Sequence, residues 1–215
     1  GAIGRVHDGA QAREAVAEAA RHFATFNLDL MFGLPGQSPA QLEADLATAL
    51  GFDPPHLSCY HLTIEPNTLF AKHPPTVPDD DAAAELQAIV EGRLSAAGYA
   101  HYEVSAFARP GHACRHNLNY WQFGDYLGIG AGAHGKLSTH EGVRRTARFK
   151  HPARYQAAAL AGDAVEEAHW VSAQDLPFEF MLNALRLREG VPAAWFEERT
   201  GLSPRVLNAA WTRAL

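Results

Sequence analysis

Two polar side chains interrupt an apolar segment near the start of the chain. Asn27 and Asp29 alternate with Leu28 and Leu30, and the two-residue period of a β-strand puts both polar groups on one face. A strand buried on both faces of a parallel sheet is almost continuously apolar. Asp29 also lies near the carboxyl end of the strand, where the active sites of α/β barrels form. This position favours a functional carboxylate.

A second explanation of Asp29 needs no ligand. The strand ends in the turn Gly33-Leu34-Pro35-Gly36, and an aspartate side chain often accepts hydrogen bonds from nearby backbone amides. In that case Asp29 fixes its own loop through the amide of Gly33 or Gly36. The sequence leaves both explanations open.

Three metal-binding side chains occur close together at His112, Cys114 and His116. Alternate residues of an extended segment share a face, and histidine and cysteine are good ligands for zinc and softer metals. The segment offers no fourth ligand at the spacing of a zinc site. A structural zinc site is therefore not expected here.

Two further segments each allow two interpretations. The glycine-rich residues 128–135 either let a ligand approach the backbone or fit a tight bend, and they lack the pattern of a phosphate loop. The basic residues 144–150 either contact the carboxylates of a ligand or form a solvated edge strand that protects a sheet from aggregation.

Helix and strand patterns alternate over the first half of the chain. Apolar spacing and caps predict helices at 8–23, 38–50 and 79–97. The second of these helices begins with a capping box from Ser38 to Gln41. Segments rich in β-branched and aromatic residues predict strands at 26–32, 56–64 and 99–107. Such units favour a parallel sheet with right-handed crossovers. Three units are too few for a closed barrel, so the pattern predicts an α/β fold containing the second half of a parallel (β/α) barrel.

The second half of the chain is less regular. It predicts an edge strand at 143–149, a helix from Pro152, and only helices after residue 172, at 173–187, 193–200 and 204–215. We expect these last helices to form a small, truncated C-terminal domain resembling a winged helix. The predicted domains are residues 1–107, 108–165 and 166–215.

The composition narrows the functional class. A net charge of −6 disfavours a general nucleic-acid-binding protein. The C-terminal helices contain acids as well as bases, so a nucleic-acid-binding appendage is also disfavoured. Two isolated cysteines fit a reducing cytosol, so we predict a cytoplasmic protein. No segment has the apolar length of a membrane helix or the pattern of a signal peptide. The chain begins at Gly1 without a methionine, which indicates a fragment.

Six segments together resemble the HemN/HemW family of radical S-adenosylmethionine proteins. They follow one another in the family's order and span nearly the whole chain, at residues 27–37, 62–68, 98–105, 107–111, 116–121 and 128–134. The resemblance implies a partial parallel barrel whose upper rim holds a [4Fe–4S] cluster and S-adenosylmethionine. Ala106 departs from the pattern, because the family more often has asparagine there.

The resemblance also implies roles for three residues toward S-adenosylmethionine. Asp29 matches the carboxylate that accepts hydrogen bonds from the ribose hydroxyls, a task that suits an ionised acceptor. Arg5 matches the arginine that approaches the methionine carboxylate, for which a planar guanidinium is well shaped. Thr63 lies where a strand backbone comes close to the cofactor.

The motif that begins at His116 resembles the haem-chaperone branch of the family, HemW. The resemblance implies that His116 binds haem iron while Tyr120 and Trp121 cover the porphyrin. The alternative is that His116 and Asn117 brace the loop by hydrogen bonds and Trp121 anchors the core.

Two functions follow from the resemblance. The first is a haem chaperone that binds haem, S-adenosylmethionine and a [4Fe–4S] cluster and delivers haem to a respiratory acceptor protein. The second is an oxygen-independent coproporphyrinogen III oxidase, which decarboxylates porphyrin propionates through a 5′-deoxyadenosyl radical. The His116 motif favours the chaperone.

The cysteines that hold the family's cluster are not in this chain, because neither Cys59 nor Cys114 belongs to a Cys-x3-Cys-x2-Cys loop. This chain alone is therefore not expected to cleave S-adenosylmethionine. Half a barrel also leaves an open strand edge, which promotes aggregation. We predict that the isolated 215-residue chain is unstable or aggregated; a sharp, reversible thermal unfolding transition would contradict this.

Overall fold

The computed structural model describes residues 8–208 and divides the chain into two compact units, Gly1–Cys114 and Arg115–Leu215. The three-domain division at residues 107 and 165 remains a prediction.

The first unit alternates helices with strands, as the sequence predicts. Its elements are α1 (Gly9–His22), β1 (Asn27–Phe32), α2 (Pro39–Leu50), β2 (His56–His61), α3 (Leu69–Lys72), α4 (Asp80–Ala96), β3 (Ala100–Glu103) and β4 (Ala106–Ala108). The capping box predicted at Ser38 is confirmed: its side chain accepts from the Gln41 amide, and the Gln41 side chain accepts from the Ser38 amide.

One predicted strand is wrong. Residues 99–107 form the hairpin of β3 and β4 rather than a single strand, and β4 lies between β2 and β3, antiparallel to both. The turn at Val104 and Ser105 has no glycine or proline to announce it. The sheet therefore has the order β1-β2-β4-β3, with only β1 and β2 paired in parallel.

The two faces of this sheet differ in chemistry. Leu28, Leu30 and Phe32 alternate with Asn27 and Asp29 along β1. The apolar set joins a core formed with α2 and α4, whose buried members include Leu42, Leu46, Leu57, Cys59, Leu86, Val90, Leu94 and Phe107. Burying such side chains is worth about 1.5–3 kcal/mol each. The helices thus cover one face and leave the polar residues on the other.

The second unit is a mixed sheet-and-helix structure. Its elements are α5 (Arg115–Trp121), β5 (His134–Thr139), β6 (Gly142–Arg148), α6 (Pro152–Leu160), β7 (Val165–Trp170), α7 (Leu176–Ala184), α8 (Ala194–Thr200) and a 3-10 helix (Pro204–Leu207). The secondary-structure elements that follow residue 172 within the described residues are all helical, as predicted, and Leu187 forms a single β-bridge between α7 and α8 in the chain. The chain is therefore mixed α/β, and residues 8–208 form two open sheets rather than a closed barrel.

The prediction that residues 143–149 form an edge strand is wrong. Strand β6 lies between β5 and β7 in an antiparallel sheet, so it is central. Two of its basic side chains have partners within the unit: Arg145 binds Glu179 at 2.6 Å, and Arg148 Nε donates to the Gly128 carbonyl at 3.0 Å. Strand β7 was missed because it contains Glu166, Glu167 and His169, and its side chains are mostly exposed.

A buried lysine organises the second unit. The Lys136 side chain is nearly fully buried, and its Nζ donates to the Phe123 carbonyl at 3.0 Å, to Asp125 Oδ1 at 2.8 Å and to Ser138 Oγ at 3.0 Å. Burial lowers the pKa of Lys136, and the hydrogen bond and charge of Asp125 oppose that shift. Burial also opposes ionisation of Asp125, yet the hydrogen bonds from Lys136 and Ser138 hold its pKa below the usual value.

Replacing Asp125 by alanine in the full-length protein should destabilise the second unit by about 1–3 kcal/mol, because it leaves the Lys136 charge without its counter-ion. The folded pKa of Asp125 lies below its unfolded value, so the stabilisation is present above the unfolded pKa and is lost as pH falls through the folded one. Urea unfolding at pH 7 and below about pH 4 measures both effects. Asp163→Ala, an exposed control, should change little; equal losses for the two variants would contradict the account.

Candidate functional site

The polar face of the first sheet brings together residues from three strands. In the parallel register Asn27 lies opposite His56 and Asp29 opposite Ser58, so these four side chains share a face. Tyr102 of β3 reaches the same group through His56. Asp29 is exposed, whereas His56 and Ser58 are only 5% and 3% exposed.

A continuous chain of hydrogen bonds joins these residues. Asn27 Nδ2 donates to Asp29 Oδ1 at 2.7 Å. Asn27 Oδ1 lies 2.6 Å from His56 Nδ1 and accepts from Ser58 Oγ at 3.1 Å. His56 Nε2 lies 2.8 Å from the Tyr102 hydroxyl, which accepts from the Cys114 amide at 3.2 Å.

The charge of Asp29 determines which group donates and which accepts in each of these hydrogen bonds. An ionised carboxylate only accepts, so Asn27 must present its amide NH2 to Asp29 and its oxygen to His56. His56 Nδ1 then has the proton. Burial lowers the pKa of His56, against the charge of Asp29 that raises it, so the ring is neutral near pH 7 and its Nε2 accepts from the Tyr102 hydroxyl.

The alternative explanation of Asp29 as a loop anchor gains no support here. Within residues 8–208 the side chain of Asp29 bonds to Asn27, and the turn after β1 is held by Gln37, whose amide donates to the Leu34 carbonyl at 2.9 Å and whose side chain accepts from the Leu34 amide at 3.3 Å. Among residues 8–208, no hydrogen bond to the second carboxylate oxygen of Asp29 is found.

The turn after β1 packs tightly against β2. Gly33 has a φ of +69°, and a Cβ there would lie 2.5 Å from His61 Nε2. His61 also meets Phe32 edge-on, with 5.3 Å between the ring centroids. Thr63 follows β2 and is exposed. Arg5 lies outside the described residues.

The two cysteines of the chain do not fit an iron–sulfur cluster. Cys59 is buried in the core, and burial, aided by the charge of Asp29, raises its pKa to about 12. It therefore stays protonated, whereas a cluster ligand is a thiolate. Within residues 8–208 no group of three or more His, Cys, Asp or Glu side chains is placed to hold a metal ion.

Helix α5 in the second unit contains the residues of the predicted haem motif. His116 is exposed and meets Tyr120 edge-on, with 4.8 Å between the ring centroids. Tyr120 continues to Tyr126 at 4.4 Å. Trp121 is instead covered by Arg186, whose Cζ lies 4.2 Å from the ring centroid. The Tyr120 and Trp121 ring centroids are 6.4 Å apart, so the rings of His116, Tyr120 and Trp121 form a series of neighbours along α5.

The glycine-rich residues 128–135 form close backbone contacts. A Cβ on Gly128 would lie 2.4 Å from the His134 carbonyl oxygen, and one on Gly135 would lie 2.7 Å from Thr146 Oγ1. Both positions need glycine for packing alone, which favours the tight bend over ligand approach.

None of the helices between residues 8 and 208 combines the length and apolar content required to cross a bilayer.

Comparison with known proteins identifies the family. A model of the HemN C-terminal domain matches residues 171–209. The heme chaperone HemW of Escherichia coli (strain K12) is 46% identical over 215 residues, which include 99% of this chain and 56% of that protein. The HemW of Haemophilus influenzae is 49% identical over 203 residues, with 94% and 52% covered. The chain belongs to the HemN/HemW family of radical S-adenosylmethionine proteins.

The fold agrees with this family. The solved coproporphyrinogen III oxidase HemN from Escherichia coli, described as a radical SAM enzyme, matches with a TM-score of 0.70 over 93% of this chain and 49% of that one, at 18% identity. The chain spans about half the length of the curated relatives it matches.

The turn predicts an unequal response to two matched substitutions in the full-length protein. Gly33 and Gly36 both have a φ of +69°, so alanine at either should cost about 1–2 kcal/mol of backbone strain. Only the Gly33 variant also clashes with His61, which should add about 1 kcal/mol or more. Urea unfolding measures both. Equal losses would contradict this contact, and His61→Ala should remove the excess if it is correct.

Proposed function

We propose that the protein containing this chain is a haem chaperone of the HemW type, which binds S-adenosylmethionine on the polar face of the first sheet and haem at His116. The observation that supports it most is the exposed carboxylate of Asp29, held at one oxygen by Asn27 at 2.7 Å on the side of β1 opposite the apolar core. The curated relatives that carry the name heme chaperone support the haem assignment.

The chemistry of Asp29 fits a ribose. A carboxylate with a free oxygen accepts two neighbouring hydroxyl groups, and each such charge-assisted hydrogen bond is worth more than a neutral one. Arg5 would hold the methionine carboxylate of the same ligand, and the backbone near Thr63 would border it.

The geometry around His116 fits one axial ligand of haem. The imidazole is exposed, and the Tyr120 ring beside it offers a flat apolar surface to a porphyrin. Bound haem would be held through His116 and handed on, which favours one exposed ligand over a closed pocket. We extend the proposal to a respiratory acceptor protein as the recipient and to a cytoplasmic location, which the two free cysteines suit.

The [4Fe–4S] cluster and S-adenosylmethionine belong to the full-length protein. S-adenosylmethionine, when reduced by such a cluster, supplies radical chemistry. The cysteines of this chain do not fit the cluster, so its ligands must come from elsewhere in the protein. What the described residues contribute is binding and orientation of the nucleoside.

A coproporphyrinogen III oxidase remains the second candidate, because HemN has the same fold with a TM-score of 0.70. The two functions differ in product. Formation of protoporphyrinogen by the reconstituted full-length protein would support the oxidase and contradict the chaperone.

Haem titration of the full-length protein tests the chaperone. His116→Ala should shift the Soret band and weaken haem binding by about tenfold or more. Loss of a residue that only hydrogen-bonds to a metal ligand already weakens metal binding by about tenfold or more, and loss of the axial ligand itself should weaken it further. His140→Ala, which removes an exposed histidine from the same unit, is the control and should change neither. An unchanged spectrum and affinity for His116→Ala would overturn the haem-ligand assignment.

A further inference from the structure

We propose that His56 is a positioning residue that fixes the Asp29 carboxylate, through Asn27, in the orientation that receives the ribose hydroxyls. This inference rests on the proposed role of Asp29. It adds His56 and its partner Tyr102 to the site, although neither residue was a sequence candidate.

The first step is that Asp29 is not the only group that orients the Asn27 amide. An amide side chain can rotate by half a turn and exchange its oxygen and nitrogen, and the exchanged form would turn an oxygen toward the Asp29 carboxylate. Two donors prevent that rotation: His56 Nδ1 at 2.6 Å and Ser58 Oγ at 3.1 Å both meet Asn27 Oδ1. The shorter contact comes from His56.

The second step is that His56 itself is locked. A neutral imidazole donates through one nitrogen and accepts through the other. The Tyr102 hydroxyl meets Nε2 at 2.8 Å, and that hydroxyl accepts from the Cys114 amide at 3.2 Å. Asn27 Oδ1 can only accept, so the proton of the His56 ring lies on Nδ1, facing Asn27, and Nε2 is left to accept from the Tyr102 hydroxyl.

The third step concerns burial. His56 is 5% exposed, so water cannot replace its hydrogen bonds to Asn27 and Tyr102. Asp29 is exposed and would otherwise sample several rotamers. A carboxylate that is oriented before the ligand arrives loses less entropy on binding, which increases affinity. His56 therefore acts on the ligand only through Asn27 and Asp29.

A purely structural role for His56 makes a different prediction. It would lower stability and weaken every ligand contact regardless of Asp29. A double-mutant cycle separates the two, because an indirect effect on binding disappears when Asp29 is absent.

The experiment measures the dissociation constant of S-adenosylmethionine by calorimetry, using the full-length, cluster-loaded protein. His56→Leu should weaken binding by about five- to twentyfold when Asp29 is present and by less than about twofold in an Asp29→Ala background. His56→Asn places an amide N–H where Nδ1 stands and should recover most of the affinity. His101→Leu is the control, because His101 stacks on Phe107 of the same sheet at 4.1 Å and should leave the affinity unchanged.

Each outcome decides the proposal. Equal losses with and without Asp29, or no loss from His56→Leu, would overturn it while leaving the ribose role of Asp29 in place. If Asp29→Ala itself binds as tightly as the wild type, the proposed ribose contact fails and the inference fails with it. Should His56→Leu not fold, Tyr102→Phe removes the hydroxyl that orients His56 and must show the same dependence on Asp29, or the proposal is wrong.

Discussion

The parallel pairing of β1 with β2 is the constraint on which the candidate site depends. Its register sets Asn27 beside His56 and Asp29 beside Ser58 on one face, and the alternate residues in the apolar core on the other. A shift of one residue in β1 would turn Asp29 into that core and the leucines to the polar side. Packing of α2 and α4 on the apolar face therefore fixes the position of the carboxylate.

In the second unit, too, the position of a charged side chain depends on the residues packed around it. Lys136 is buried only because Asp125, Ser138 and a backbone carbonyl complete its hydrogen bonds. That cluster joins β5 to the segment after α5. Trp121 packs against Arg186, and the exposed His116 of the same helix lies beside the Tyr120 ring.

Local patterns in the sequence predicted much of this arrangement. Contacts between residues far apart in the sequence were not predicted. The two-residue period correctly put Asn27 and Asp29 on one face, and the caps located α2 and α4. His56 and Tyr102 were missed because their contacts join residues 29 and 46 positions apart, at pairings that one sequence does not reveal. The hairpin at 104–105 was missed because the turn contains no glycine or proline. The polar composition of β7 concealed that strand, and so β6 was taken for an edge.

The central claim is that this chain recognises a nucleoside through its ribose hydroxyls. The most direct measurement compares S-adenosylmethionine with an analogue lacking both hydroxyls, using the wild-type full-length protein and its Asp29→Ala variant. The account predicts that losing the hydroxyls weakens binding to the wild type by about tenfold or more and changes binding to the variant by less than about twofold. An equal loss in the two proteins would contradict it.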